Sequence, residues 1–277
     1  MTGTTNMQNS NKSAKPKGVV IFAFNSTTVD YVALADQTSR LVEHNLKLPI
    51  TLITDLDADP KFTYDEVIRV QSEGGNVRTS AGGNITEWRN FGRYLAYELS
   101  PYETTILIDG DYLVLDKTLL TLCEQDFDYR LMHHNKTPNG PSYEAMGPLG
   151  LDFIWATVVL FRKTARAKQL FDLVGRIQRN YGYYKTLYNG NGTFRNDYAF
   201  SIANMILNGY TPEEHKSVPW LMTTIENKIK QIDIKDNFLI IRHENNAVVS
   251  PRQNLHIMDK DFLLSNEFKQ FVDYAIQ

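Results

Sequence analysis

Residues 1–17 are polar, rich in Asn, Ser, Thr and Lys, and read as a disordered tail. At Gly18 the pattern changes. Gly18-Val-Val-Ile-Phe-Ala-Phe24 is an unbroken apolar run, the signature of a strand covered on both faces of a parallel sheet. The polar stretch Asn25-Ser-Thr-Thr28 follows, made of helix-capping residues. Val29, Val32, Ala33, Ala35, Leu41 and Val42 then recur at helical spacing as far as Asn45. Pro49 to Asp55 and Val67 to Val70 read as two further strands. Strand, helix and strand in alternation predict a doubly wound α/β unit, whose ligands bind beyond the carboxyl ends of the strands. Asn25, Ser26 and Asp55 stand at such ends.

Gln71 to Asn84 is rich in Gly and Ser and reads as a mobile segment. A helix is predicted over Glu87 to Leu99, ended by Pro101. Thr104 to Ile108 is a strand that runs into Asp109-Gly-Asp111, and Tyr112 to Leu115 continues the apolar run. Farther on, Tyr129 to His133, Phe153 to Phe161 and Phe238 to Ile241 read as strands. Thr164 to Asn180, Asp197 to Leu207 and Asp261 to Ile276 read as helices. Asn135 to Gly150 reads as a loop, and Asn189 to Gly192 as a turn. No internal repeat or linker divides the chain, so residues 18–277 are read as one domain.

Composition narrows the picture only a little. The chain has 277 residues, 42% of them hydrophobic, which suffices for a large core. A net charge of -3 calls for neither a nucleic-acid nor a membrane partner. The single cysteine, Cys123, rules out an intramolecular disulfide and fits a reducing, cytoplasmic setting. Neither a signal peptide nor a membrane span is visible. Tyr and Phe number 15 and 14, enough to suggest stacking surfaces as well as core packing.

The chemistry concentrates at Asp109-Gly-Asp111. An apolar strand delivers two carboxylates separated by one small residue. Gly110 lets the backbone bend and a large ligand approach. Two carboxylates there suit a hard divalent ion, Mg²⁺ or Mn²⁺, with positions left for phosphate oxygens. A solvated turn between two strands is the plain alternative.

Ile106-Leu-Ile-Asp-Gly-Asp-Tyr-Leu-Val114 resembles the D-x-D strand of GT-A fold glycosyltransferases, especially the glycogenin-like group. Gly18 to Ser26 is similar to their first strand, whose end, here Phe24, Asn25 and Ser26, holds the nucleotide. Trp88 to Leu99 resembles the helix that supplies a basic residue to the donor, for which Arg89 and Arg93 are the candidates. Asn196-Asp197 resembles the pair that opens the acceptor-side helix. His256-Ile-Met-Asp-Lys260 is similar to the late segment with a third metal ligand, His256, and a diphosphate-binding lysine, Lys260. Its spacing is shorter than in the family, and His243 is the rival ligand. Thr157 stands where the family has a donor-contacting asparagine. Phe153 to Leu207, with Tyr181-Gly-Tyr-Tyr184, also resembles proteins of tailed bacteriophages.

The resemblance implies a mixed, mostly parallel sheet flanked by helices and a metal-dependent transfer of a hexosyl or pentosyl group. The donor would be a nucleotide sugar, a UDP-sugar first, and the family leans toward retention of anomeric configuration. Asp109, Asp111 and His256 would hold the metal. Asp197 and Asn196 would serve the acceptor, Asp197 as general base if the reaction inverts. Helix capping explains the same pair equally simply. Asp55 would meet base or ribose, or cap a turn. A hydroxymethylated base in DNA is one acceptor, with the basic run Arg162 to Lys168, Arg176, Arg179 and Lys185 facing phosphates, or merely solvent. His133 and His134 read as one packed and one exposed side chain, and the three tryptophans as core. A nucleotidyltransferase and a non-catalytic nucleotide-sugar-binding protein are the alternative functions. The first lacks its usual Gly-rich basic loop, because Ala23 to Thr28 has neither Gly nor Lys.

Overall fold

The computed structural model describes residues 15–71, 76–79, 85–137, 140–142, 145–146, 151–188, 193–211 and 216–277. The chain opens with β1 (Lys15–Phe22), α1 (Tyr31–Leu46), β2 (Ile50–Thr54) and β3 (Glu66–Arg69). A hairpin, β4 (Asn76–Thr79) with β5 (Ile85–Trp88), precedes a 3₁₀ helix over Asn90–Leu95 and the short α2 (Ala96–Leu99). Then come β6 (Tyr102–Asp109), β7 (Tyr112–Leu113), α3 (Thr118–Cys123) and β8 (Tyr129–Met132). Four short strands follow, β9 (Asn135–Thr137), β10 (Gly140–Ser142), β11 (Ala145–Met146) and β12 (Leu151–Asp152), before β13 (Trp155–Arg162). Three helices succeed it, α4 (Ala165–Arg179), α5 (Tyr181–Leu187) and α6 (Asn196–Leu207). The chain ends with β14 (Met222–Ile225), β15 (Gln231–Lys235), β16 (Phe238–Arg242), β17 (Ala247–Pro251), β18 (Leu255–Ile257), α7 (Lys260–Leu263) and α8 (Asn266–Ala275).

The central sheet has the order β3-β2-β1-β6-β13-β8. Its first four strands are parallel, β13 runs antiparallel to both its neighbours, and β8 at the edge therefore runs the same way as the first four. Helices cover both faces because alternate residues of each strand face opposite ways. In β1, Val20 and Phe22 join the core beneath α4 and α6, while Val19 and Ile21 join the core beneath α1 and α3. The apolar runs of the sequence are therefore strands buried on both sides, as parallel sheets require. A mixed, mostly parallel sheet flanked by helices is the fold class expected, and it is the one observed. At Gly18 a Cβ would lie 2.3 Å from the Tyr102 ring, so only glycine admits that tyrosine.

Register aligns the ends of the parallel strands. Phe22 pairs with Ile53 on one side and Asp109 on the other. A second sheet, β10-β9-β14-β18-β7, abuts this edge. In it β18 runs antiparallel to β7, and His256 pairs with Tyr112, the residue after Asp111. This pairing carries a late histidine to the mouth of the central strands.

Several boundaries differ from expectation. The tail predicted for residues 1–17 gives way at Lys15, which with Lys17 pairs along β6; residues 1–14 lie outside the described residues. The single helix predicted over Glu87 to Leu99 is instead the end of β5, a 3₁₀ turn and four α-helical residues. Asn135 to Gly150, read as a loop, contains three short strands among its described residues. The closing helix breaks between Leu263 and Asn266, where Ser265 caps α8 through the Phe268 N–H. Most of the segment expected to be mobile, and the turn at Asn189 to Gly192, lie outside the described residues.

Candidate active site

A cleft opens at the carboxyl ends of β1 and β6. Asp109, the last residue of β6, and Asp111, after the Gly110 turn, stand on its floor. Gly110 is not in the left-handed region. A Cβ there would sit 3.3 Å from Leu34 and 3.5 Å from Ala35, so this glycine admits the close approach of α1. The freedom to bend expected of it is not what the site uses.

The two carboxylates have different partners. Asp109 accepts a hydrogen bond of 2.6 Å from Arg93 Nη1, and Arg93 is only 1% exposed. The other arm of the same guanidinium donates to the Ala156 carbonyl, so one cation ties β6 to β13. Burial pushes the Asp109 carboxyl up to about 6; Arg93 opposes the rise and Asp111 adds to it. Asp111 is paired with Lys260, and its Oδ2 lies 3.6 Å from His256 Nε2. Burial alone would raise this carboxyl too, but Lys260 and His256 outweigh it and hold Asp111 well below the usual carboxylate range. The backbone fixes the geometry further, with the Ile257 N–H donating to the Asp111 carbonyl at 3.0 Å.

Of the two candidate histidines, His256 is the one in the cleft. It is 6% exposed, with Nδ1 3.5 Å from Thr224 Oγ1 and its ring edge-on to Trp155 at 5.9 Å. His243 lies at the end of β16, where Nδ1 meets the Lys228 carbonyl at 2.8 Å. As they stand, no three His, Cys, Asp or Glu side chains among the described residues form a group that holds a metal ion. The donor set nevertheless fits one. Asp111 Oδ1 is buried without a hydrogen-bond partner, and oxygen with imidazole suits Mg²⁺ or Mn²⁺. The Lys260 ammonium is the cation that neutralises Asp111 here.

Phe24, Arg89, Thr157, Asn196 and Asp197 line the same cleft. Arg89 and Arg93 are not on one α-helical face, because the intervening turn is 3₁₀; they reach the cleft separately. Arg89 is held at 2.9 Å by Glu87, whose other oxygen accepts from the Thr27 N–H at 3.0 Å. Asn25, Ser26 and Asp55 line a neighbouring cavity that shares Arg89 with the cleft. Two of these three side chains are already engaged in shaping the turn. Asn25 Oδ1 accepts from the Val32 N–H, and Ser26 Oγ from the Thr28 and Val29 N–H groups. Asp55 accepts from the Asn25 N–H; its carboxyl is raised by burial, with Asp57 adding and Arg89 opposing.

Asn196 and Asp197 open α6, as expected, yet neither caps it: the cap position is Arg195, without a side-chain cap bond. Asp197 Oδ1 accepts from the Ala156 N–H at 2.9 Å, and Oδ2 from Arg195 at 2.7 and 2.9 Å. Both oxygens are thus spent on structure. Asn196 donates through Nδ2 to the Asn90 carbonyl at 2.9 Å and leaves Oδ1 buried without a partner. Arg195 and Asn90 are cleft residues that sequence reasoning missed. Arg195 packs its guanidinium over Phe153 and Tyr198 at 5.5 and 5.4 Å. A signal existed, since a cation at a helix N-terminus opposes the macrodipole and needs a local carboxylate.

Other candidates are settled by packing. His133 is buried and His134 half-buried, with burial lowering the His133 pKa. Trp155 is buried at the cleft wall, and Trp220 packs partly buried against the core. In the basic run, Arg162 bonds Asp126 and the Gln125 carbonyl, Lys163 the Tyr97 carbonyl, Arg166 the Leu207 carbonyl, and Lys168 bridges to Glu98 and Asp172.

No family model matches the chain, and no curated protein matches it. Among solved structures it is similar to the glycosyltransferase GlyE of Streptococcus pneumoniae TIGR4, with 14% identity and a TM-score of 0.40 over 73% of this chain and 45% of that one. This chain therefore spans less than half of GlyE. It is also similar to an active-site mutant of LgtC, with 15% identity and a TM-score of 0.45 over 67% of this chain and 69% of that one. A third likeness is to the galactosyltransferase LgtC in complex with donor and acceptor sugar analogs, at 16% identity and a TM-score of 0.42, covering 69% and 70%. No described helix is long and apolar enough to cross a membrane.

Proposed function

We propose that this protein is a metal-dependent glycosyltransferase that takes a hexosyl or pentosyl group from a nucleotide sugar. One observation carries the reading: two carboxylates at the end of a central parallel strand share a cleft with Lys260, Arg89, Arg93 and His256. Asp109, Asp111 and His256 would hold the divalent ion, with Asp111 the anchor. The ion would supply positive charge to a departing diphosphate. Lys260 and Arg89 are the cleft's own cations for the same phosphates. Phe24 gives an apolar wall beside them.

Asn196 has a buried carbonyl oxygen in need of a donor, and a sugar hydroxyl is such a donor. Asp197 acts by holding Ala156 and Arg195 in the wall, a positioning role. Asn25 and Ser26 would meet the nucleotide through the shape of their turn, and Asp55 through its carboxylate. The donor we favour is a UDP-sugar, from the glycogenin-like character of the D-x-D strand, and the acceptor is a hydroxyl. For a hydroxymethylated DNA base as acceptor the support is divided: the cations of Arg162 to Lys168 are largely engaged within the fold, while Arg176 and Arg179 beyond them are exposed.

The test is a melting-temperature panel of UDP-, GDP-, CMP- and dTDP-sugars with and without Mn²⁺, on the wild type and Asp111→Ala. A shift that needs one nucleotide class, the metal and Asp111 supports the reading. No shift with any donor or metal overturns it. Release of free nucleotide from the donor then separates an enzyme from a binding protein that keeps the cleft without turnover.

A further inference from the structure

Tyr181-Gly-Tyr-Tyr184 takes no part in the cleft. It forms most of α5, and no residue of that helix is buried. Helices of soluble proteins keep charged residues on the face turned to water. The exposed residues of α5 are instead Gly182, Tyr183, Thr186 and Leu187, with Tyr183 66% and Leu187 52% exposed. Little in the sequence favours this helix by itself. It has seven residues, three of them Tyr and one Gly, and Asn180 makes no side-chain cap bond. Beside its end, Tyr210 stacks on Tyr188 at 6.4 Å and is 56% exposed.

The stretch of chain that carries this apolar tip is basic. From Leu173 to Asn196 the chain carries Arg176, Arg179, Lys185 and Arg195 and no acidic residue. Arg176 and Arg179 are exposed on the last turn of α4, directly before α5. Arg179 lies over the Tyr94 ring at 5.6 Å, and neither Arg176 nor Lys185 pairs with a carboxylate among the described residues. An exposed leucine and tyrosine on one side of a short helix, with cations around them, is the arrangement of an interfacial anchor. Tyr183 would suit a stacked base as well as a headgroup, but Leu187, one helical turn on and on the same side, suits only an apolar boundary, and this favours a lipid surface over a nucleic acid.

We propose that α5 seats the protein on an anionic lipid surface. Tyr183 and Leu187 enter the headgroup boundary, and Arg176, Arg179 and Lys185 meet the lipid charge. The seat is connected to the cleft: Tyr181 packs edge-on to Phe194 at 5.4 Å, and the next residue, Arg195, lines the cleft. The proposal stands apart from sugar transfer and fails or holds separately.

The test is flotation of the full chain with vesicles of phosphatidylcholine alone or mixed with phosphatidylglycerol. The wild type should float only with the anionic vesicles, and added salt should release it. Tyr183→Asp with Leu187→Asp should abolish flotation without moving the melting temperature, since both residues are exposed. Lys185→Gln should weaken binding about fivefold, the worth of one basic residue near such a surface. If the double variant fails to fold, Lys185→Gln and the salt dependence decide alone. Wild type that stays unbound, or variants that float as it does, overturn the proposal. Binding to duplex DNA without flotation, or a dimer that the double variant dissolves, overturns it as well.

Discussion

Arg93, 1% exposed, donates to Asp109 at 2.6 Å from inside the protein, so the carboxylate at the end of β6 is held from behind rather than by solvent. A buried guanidinium with partners on two strands is costly to remove, because it leaves a carboxylate and the Ala156 carbonyl without their donor. Breaking a fully buried pair costs about 3–5 kcal/mol. The Asp109 side chain is 30% exposed, so Arg93→Met is expected at about 2–3 kcal/mol. Urea unfolding with an unchanged slope checks this. A loss below about 0.5 kcal/mol, the range of ordinary surface changes, would mean the pair does not pin the strands.

The two carboxylates should leave opposite marks on stability against pH. Asp109 is raised from 3.8 to about 6, so the folded state holds its proton more tightly than the unfolded chain. Its contribution is complete below 3.8 and is lost as pH climbs to about 6. Asp111 is held low, so its contribution is present above 3.8 and fades as pH falls below that value. Asp109→Asn should therefore gain stability relative to the wild type between pH 4 and 6, and Asp111→Asn should lose its deficit in acid. Parallel curves for wild type and Asp109→Asn across that window would refute the assignment.

Lys260 shares Asp111 Oδ2 with His256, and a divalent ion held by Asp111 would compete with that ammonium for the same carboxylate. Lys260→Met removes the resident cation. The variant should melt lower than the wild type without metal and gain more from Mn²⁺, because the ion no longer competes with an ammonium. A ligand at a hundredfold its Kd stabilises by about 2.7 kcal/mol, which sets the scale of the gain. Equal Mn²⁺ shifts in the two proteins, read by calorimetry, would count against a metal at this position.

How far the site was legible depended on whether each contact is local. Ile106-Leu-Ile108 is a strand on any reading, and a D-x-D at its end must meet the carboxyl edge of a parallel sheet. Asn25 and Asp55 are legible as strand-end residues for the same reason. That Asn25 and Ser26 spend their side chains on turn N–H groups is hidden in a pattern that fits both roles. The choice between His256 and His243 rests on β18 pairing with β7, a contact between distant parts of the chain. The helix expected at Glu87 to Leu99 failed because a hairpin takes Ile85–Trp88 and the 3₁₀ turn takes Asn90–Leu95, both overriding local propensity. For Arg195 the local signal, a cation before a helix next to Asp197, was legible, but its place in the cleft wall was not, because Phe153 comes over it only when distant parts of the chain pack together.

Asp197 is where the sequence and the geometry assign different work to one carboxylate. As a general base it needs a free oxygen; as a wall it needs its bonds to the Ala156 N–H and Arg195. Asp197→Asn separates the two. The amide keeps a carbonyl for the Ala156 N–H, but its NH2 end cannot accept from Arg195, and it cannot take a proton. A positioning role predicts that sugar transfer falls less than about tenfold in Asp197→Asn, whereas general-base catalysis is worth about 10²–10⁴-fold. Asp197→Ala should be worse on both counts, leaving a buried N–H unpaired at a cost of about 1–3 kcal/mol. The pH profile adds an independent reading. Loss of a base removes the acidic limb of kcat/KM, and loss of a wall lowers the whole curve and leaves its shape. An Asp197→Asn enzyme that melts like the wild type, turns over a hundredfold or more slowly and has lost that limb would return Asp197 to the chemistry.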